Sequence, residues 1–164
     1  MNGNTTVPAG PLAGRQLHTT PDQMPIDTSA ASSVLDVRVY YEDTDAGGVV
    51  FYANYLKFLE RGRTEWLRAL GVNQSELAMR ERRLFVVKGL EIEYFKPARL
   101  DDLLRVYSRI THVGRAYVDF HQVAQVDGQD ICASTIRVCC IDADTHRPTG
   151  LPPTIRTLLL NAQE

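Results

Sequence analysis

The chain has 164 residues, 44% of them hydrophobic, so it is long enough for one domain with a buried core. Its formal net charge of -2 argues against a general nucleic-acid-binding protein, which needs a basic face. No apolar run approaches the roughly 18 residues of a membrane span, and the N-terminus lacks the apolar segment of a secretory signal. We therefore expect a soluble cytoplasmic protein.

The first 33 residues differ in composition from the rest of the chain. They are rich in Thr, Pro, Ala, Gly and Ser and have no apolar periodicity, so they can bury too little surface to offset the entropy of ordering. We predict a disordered N-terminal extension over residues 1–33, which a wrongly chosen start codon would also explain. One domain is expected over residues 34–164.

A strand and an acidic loop follow the extension. Apolar and polar residues alternate from Val34 to Tyr41, which predicts a half-buried strand that Tyr40 and Tyr41 close. The next residues hold three carboxylates and a flexible glycine pair: Glu42, Asp43, Asp45, Gly47 and Gly48. The sequence therefore brings acidic chemistry and backbone freedom together in this loop.

A long amphipathic helix is predicted from Asn54 until Gly71 stops it. It would run for roughly 17 residues, or about 25 Å. Its apolar residues have the spacing of one helical stripe: Tyr55, Phe58, Leu59, Trp66, Ala69 and Leu70. Gly62 lies in this stripe, where glycine costs about 1 kcal/mol relative to alanine. We expect close approach of another backbone to compensate.

The second half of the chain reads mainly as strands. A short helix over residues 73–80 precedes them, and Pro152-Pro153 opens a last helix through Leu160. The strands are predicted at residues 85–95, 103–111, 116–126 and 131–141. In the first of these four, one face is expected to carry Val86, Leu90, Ile92 and Tyr94. Asp127-Gly128 is a strong hairpin signal between the last two.

These elements predict an α+β fold in which a five-stranded antiparallel sheet wraps around one long central helix. The strands after the long helix follow one another through short connections, which favours antiparallel pairing.

The start of the long helix offers a place for chemistry. The first N–H groups of a helix lack intrahelical partners and carry partial positive charge, so a substrate carbonyl on the backbone N–H near Tyr52 would be polarised. Asp45 would then attack that carbonyl or activate a water. The alternative is structural, because loop carboxylates beside glycines often form turns or cap helices, as expected for Glu42 and Asp43. A magnesium or calcium site is disfavoured because the EF-hand spacing is absent.

Other polar residues are weaker candidates. Glu60 and Glu65 on the long helix are candidate general bases, but they are near arginines and are interpreted as surface ion-pair partners. The arginines in question are Arg61, Arg63 and Arg68. The four histidines are scattered, and no Ser-His-Asp or Cys-His spacing emerges. The three cysteines form no CxxC pair and are expected to be reduced, buried thiols: Cys132, Cys139 and Cys140.

Two stretches resemble a known family. RVYYEDTDAGGVVFYANYLKFLERGRTE, from Arg38 to Glu65, and FVVKGLEIEYFKPARLDD, from Phe85 to Asp102, are similar to the hotdog-fold acyl-CoA thioesterases of the 4-hydroxybenzoyl-CoA thioesterase type. The nearest branch is the one associated with the bacterial Tol–Pal system. The strand order suits this fold across residues 34–160.

The resemblance implies site residues and a reaction. The family's catalytic aspartate falls on Asp45, as nucleophile or general base, and its carbonyl-polarising backbone N–H falls on Tyr52. In the nearest branch this second position is commonly His, so the acyl preference stays open. The resemblance also implies hydrolysis of acyl-CoA to free acid and CoA without a metal or organic cofactor, and a homodimer or homotetramer with the site at a subunit boundary. A hotdog dehydratase and a non-catalytic binding module of the cell-envelope machinery are the alternatives.

Overall fold

A computed structural model describes residues 33–163, so the predicted extension lies outside the described residues except for Ser33. The strands and helices are, in chain order, β1 (Ser33–Arg38), α1 (Tyr55–Ala69), α2 (Gln74–Glu81), β2 (Arg83–Tyr94), β3 (Leu103–Val113), β4 (Tyr117–Val126), β5 (Gln129–Asp142) and α3 (Pro153–Asn161). Two single 3-10 turns, Tyr41–Asp43 and Tyr52–Asn54, lie between β1 and α1. No helix among these residues is long and apolar enough to cross a membrane.

The five strands form one antiparallel sheet in the order β1-β3-β4-β5-β2. Helix α1 packs on one face of this sheet, where Phe58 and Leu59 are fully buried against residues of β3 and β4 such as Val106 and Ala124. The predicted sheet around a central helix is therefore confirmed. The apolar core has two clusters, and α1 contributes to both, with Phe58 and Leu59 in one and Trp66 and Leu67 in the other.

Helix α1 begins one residue later than predicted and ends as expected, since Gly71 adopts a φ of +86° just beyond it. Gly62 lies where the helix approaches the sheet most closely. A Cβ there would lie 3.0 Å from both Ser108 Oγ and Val106 Cγ1. The prediction of a backbone neighbour was wrong, because side chains of β3 and β4 fill the space.

One arginine of α1 is buried instead of lying at the surface. Arg63 is only 7% exposed, and its Nη1 donates to Gln122 Oε1 at 2.7 Å. The Gln122 amide in turn donates to Leu59 O and to Ser108 Oγ. The expectation of a surface ion pair was wrong for Arg63, because the helix turns this side chain onto the buried polar row of β3 and β4. Glu65 and Arg68 do form the expected exposed pair.

Two strand predictions also need correction. Tyr41 does not extend β1 but begins a 3-10 turn and is 82% exposed. A register shift between Val87 and Gly89 changes which face of the sheet the residues of β2 occupy on either side of it. Val86 therefore pairs with Cys139 on the outer face of the sheet and does not share the predicted common face with Leu90. Leu90 and the alternate residues after it keep the predicted common face, towards α1.

The predicted hairpin, the short helix after α1 and the last helix are confirmed. Asp127 and Gly128 have φ values of +48° and +76°, as a tight hairpin between β4 and β5 requires. Asn73 caps α2 by accepting from the N–H groups of its first turn, and a proline opens α3.

The cysteines are free thiols, and Cys132 and Cys140 are buried as expected. The prediction of burial was wrong for Cys139, which is partly exposed because it lies on the outer face of β5 opposite Val86. Burial raises the pKa of the Cys132 thiol to about 12, so it stays protonated.

Candidate active site

The loop that carries Asp45 is a tight turn held by its own backbone. Asp45 N–H donates to Val49 O at 2.9 Å, and Gly48 N–H donates to Asp45 O at 3.0 Å. Gly48 has a φ of +74°, which favours glycine there. The Asp45 side chain is exposed, and its Oδ1 accepts the Gly47 N–H at 2.8 Å. Its Oδ2 accepts no hydrogen bond from residues 33–163, so one carboxylate oxygen is available for chemistry.

Asp43 has the opposite environment. It is 5% exposed, and its Oδ2 accepts the Tyr40 N–H at 2.9 Å. Its carbonyl oxygen accepts the Phe51 N–H and the Asn54 side-chain amide, at 2.9 and 3.0 Å. Asp43 thus fastens the loop to the start of the helix, which supports its structural interpretation.

The tip of the helix presents backbone donors. Chain 52–54 forms the 3-10 turn that leads into α1. The N–H groups of Tyr52 and Ala53 have no acceptor among residues 33–163. Asn54 makes no side-chain cap at the start of α1, and its Nδ2 donates to Asp43 O. An acceptor from a ligand would therefore meet two unused donors and the positive end of a 15-residue helix.

Two tyrosines lie beside this tip, Tyr55 and Tyr94. The sequence patterns predicted their secondary structure but did not identify either as a residue of the site. Tyr94 Oη donates to Tyr52 O at 2.8 Å from the end of β2. Tyr55 Oη accepts the Ala98 N–H at 3.0 Å, and the rings of Tyr55 and Tyr94 lie 5.6 Å apart. Tyr52 and Tyr94 are 42 positions apart in the chain, so no local motif reveals this contact.

The weaker candidates have other roles. Glu60 accepts the Thr64 hydroxyl, and Glu65 pairs with Arg68. His121 lies next to the inward-facing Gln122 and so on the outer face of the sheet, where burial and the nearby Arg109 lower its pKa. Within residues 33–163 no His, Cys, Asp or Glu cluster is suited to hold a metal ion.

Comparison with known proteins places this site in a family context. Residues 39–159 match the family model described as Thioesterase-like superfamily. The chain is 43% identical over 120 residues to Acyl-CoA thioesterase YbgC of Haemophilus influenzae, which covers 73% of this chain and 88% of that protein. It is 31% identical over 131 residues to Acyl-CoA thioesterase YbgC of Helicobacter pylori, which covers 74% of this chain and 96% of that protein.

A solved structure agrees with this assignment. The probable thioesterase from Bartonella henselae superimposes with a TM-score of 0.71 at 35% identity, covering 74% of this chain and 99% of that one. The match of the family model over most of the chain, the relatives and the shared architecture lead to one conclusion: this chain belongs to the thioesterase-like superfamily and has the hotdog fold.

Proposed function

We propose that this protein is an acyl-CoA thioesterase that hydrolyses an acyl-CoA thioester to a free acid and CoA. The observation that carries the proposal is the exposed Asp45 carboxylate in a loop tied to a helix tip with unused N–H groups at Tyr52 and Ala53. Relatives named acyl-CoA thioesterase, 43% identical over 120 residues, support the same activity.

The chemistry follows from the two parts of the site. The thioester carbonyl oxygen accepts the Tyr52 N–H, which stabilises the negative charge that develops on this oxygen. If Asp45 is the nucleophile, it attacks the carbonyl carbon and CoA leaves as a thiolate, which takes up a proton. Water then hydrolyses the mixed anhydride and regenerates the carboxylate. If Asp45 is the general base, it takes a proton from a water that attacks the same carbon directly. The C–S bond then breaks, and the departing CoA thiolate takes up the proton held by Asp45.

We also propose that two copies assemble through β2. This 12-residue strand is at one edge of the sheet and pairs only with β5 among residues 33–163. Its apolar residues remain substantially exposed, with Val87 at 49% and Leu90 at 41%. A long exposed apolar edge is a template for pairing, and a two-fold axis would pair β2 antiparallel with its copy. A tetramer and a cytoplasmic location stay predictions.

The decisive experiment is Asp45→Asn. Asparagine keeps an oxygen that accepts the Gly47 N–H, so the turn is retained while the charge is lost. We expect kcat to fall at least about 10²-fold on any acyl-CoA that the wild type hydrolyses, with an unchanged thermal unfolding midpoint. The assay is release of free thiol from a panel of short, long and aromatic acyl-CoAs.

The matched control is Glu42→Gln, which neutralises an exposed carboxylate three residues away. Its kcat should stay within about twofold of the wild type. Near-normal turnover by Asp45→Asn would overturn the role of Asp45. An inactive wild type across the whole panel would instead favour a non-catalytic binding module.

A further inference from the structure

Tyr94 contacts the helix tip but takes no direct part in the proposed reaction. Its hydroxyl donates to Tyr52 O at 2.8 Å, although it comes from the far end of β2. That carbonyl belongs to the peptide whose other end is the Ala53 N–H. The bond therefore holds, from outside the helix, the peptide that directly follows the Tyr52 N–H, the proposed donor to the thioester carbonyl. The same peptide carries the second unused donor, the Ala53 N–H.

The tip has only a few further restraints: on either side of the Tyr52–Ala53 peptide, the Phe51 N–H and the Asn54 side-chain amide donate to Asp43 O. Neither Phe51, before the 3-10 turn, nor Asn54, before α1, makes a side-chain cap to the following N–H groups. Tyr52 is itself 64% exposed, so packing does not fix it. The order of this peptide consequently depends on few contacts, and the bond from Tyr94 is one of them.

Tyr94 is well anchored for this purpose. Its backbone pairs with the fully buried Cys132, and the next residue donates from its N–H to Ile131 O at 2.8 Å. Its ring packs against Tyr55, which is 3% exposed and accepts the Ala98 N–H. Burial raises the pKa of the Tyr94 phenol, so the hydroxyl keeps its donor proton throughout the neutral range.

We infer that Tyr94 is a positioning residue for the thioesterase reaction: its hydroxyl orients the Tyr52–Ala53 peptide and so aligns the helix-tip donors with the reacting carbonyl. A hydrogen bond to a peptide carbonyl also polarises the N–H at its other end, here that of Ala53. This inference rests on the proposed function. Because Tyr94 ends the strand proposed to join two copies, it also links that edge to the site.

The test is Tyr94→Phe, which removes only the hydroxyl. We expect kcat to fall about tenfold, while KM stays within about twofold, because donor alignment matters most in the transition state. The amide hydrogens of residues 52–56 should exchange faster than in the wild type, a readout that needs no turnover. The mass of the assembly in solution should not change.

The matched control is Tyr41→Phe. Tyr41 is 82% exposed and its hydroxyl makes no hydrogen bond within the described chain, so neither kcat nor exchange should change. A Tyr94→Phe enzyme with wild-type kcat and wild-type exchange would overturn the inference while leaving the proposed function intact. A parallel rise in KM would assign Tyr94 to substrate binding, and a change in mass would assign it to the interface. Either result would overturn the positioning role. If the wild type hydrolyses no acyl-CoA, the proposed function fails and this role fails with it.

Discussion

At the scale of single residues, Asp43 and Asp45 belong to one loop but lie in opposite environments. The buried Asp43 accepts a backbone N–H and fixes the loop, whereas Asp45 is exposed with one oxygen unused. The sequence singled out Asp45 from helix electrostatics and from its likeness to a family. It could not separate the two carboxylates by burial, because burial depends on how the loop folds back over Phe51 and Asn54.

Tyr52→Phe tests whether the proposed carbonyl donor is backbone or phenol. Since the proposed donor is the main-chain N–H, the variant should retain kcat within about threefold of the wild type. The same thiol-release assay measures it. A loss of several orders of magnitude would assign the chemistry to the phenol.

At the scale of elements, α1 is fastened to the sheet by contacts of two kinds. Its apolar stripe packs on β3 and β4, and Gln122 donates from the sheet to Leu59 O, at the point where Gly62 lets the helix come close. Arg63 adds a buried hydrogen bond to the same glutamine. The start of α1, where the catalytic donors are proposed, is therefore positioned by packing one to two turns further along the helix.

Gly62→Ala is expected to destabilise the protein despite the higher helix propensity of alanine. The added Cβ would lie 3.0 Å from Ser108 Oγ and Val106 Cγ1. Overpacking typically costs about 1–3 kcal/mol, and the helix gains at most about 1 kcal/mol, so we expect a net loss of about 1 kcal/mol. Denaturant titration measures the free energy of unfolding.

Gly89→Ala provides the comparison in β2, where a Cβ would meet no atom within 4 Å. Its free energy of unfolding should change by less than about 0.5 kcal/mol. Equal effects at Gly62 and Gly89 would contradict the importance of close helix–sheet approach.

At the scale of the whole molecule, the two edges of the sheet differ. β1 has only six residues, and a short edge strand offers little backbone for pairing. β2 is twice as long, and it has exposed apolar side chains on both faces of the sheet, with Leu90 on the face towards α1 and Val86 on the outer face. The proposed two-copy assembly therefore uses β2, and through the Tyr94–Tyr52 hydrogen bond this edge contacts the proposed site.

Leu90→Glu tests the assembly. It places a carboxylate on the apolar face of β2, so the protein should elute as a monomer, with its mass measured by light scattering. Val34→Glu makes the same kind of change on β1, where Val34 is 48% exposed, and should leave the assembly intact. A Leu90→Glu variant with wild-type mass would exclude β2 as the interface.

The sequence by itself determined the elements and pointed to a candidate site. Period-two and helical patterns identified the five strands and α1, because each element has one face that must leave water. Gly71 and the Asp127-Gly128 pair marked their ends correctly, since few other residues favour a positive φ. The likeness of the loop and helix to one family directed attention to Asp45 and Tyr52.

Only the tertiary structure decided contacts between residues far apart in the chain. The register shift at Gly89 reversed the facing of Val86, the sheet buried Arg63 against Gln122, and β2 brought Tyr94 to Tyr52. No local sequence pattern predicts any of these three contacts, because each one joins two elements and depends on how those elements pack together. Periodicity describes which face of an element is buried, whereas packing determines the neighbour that covers it.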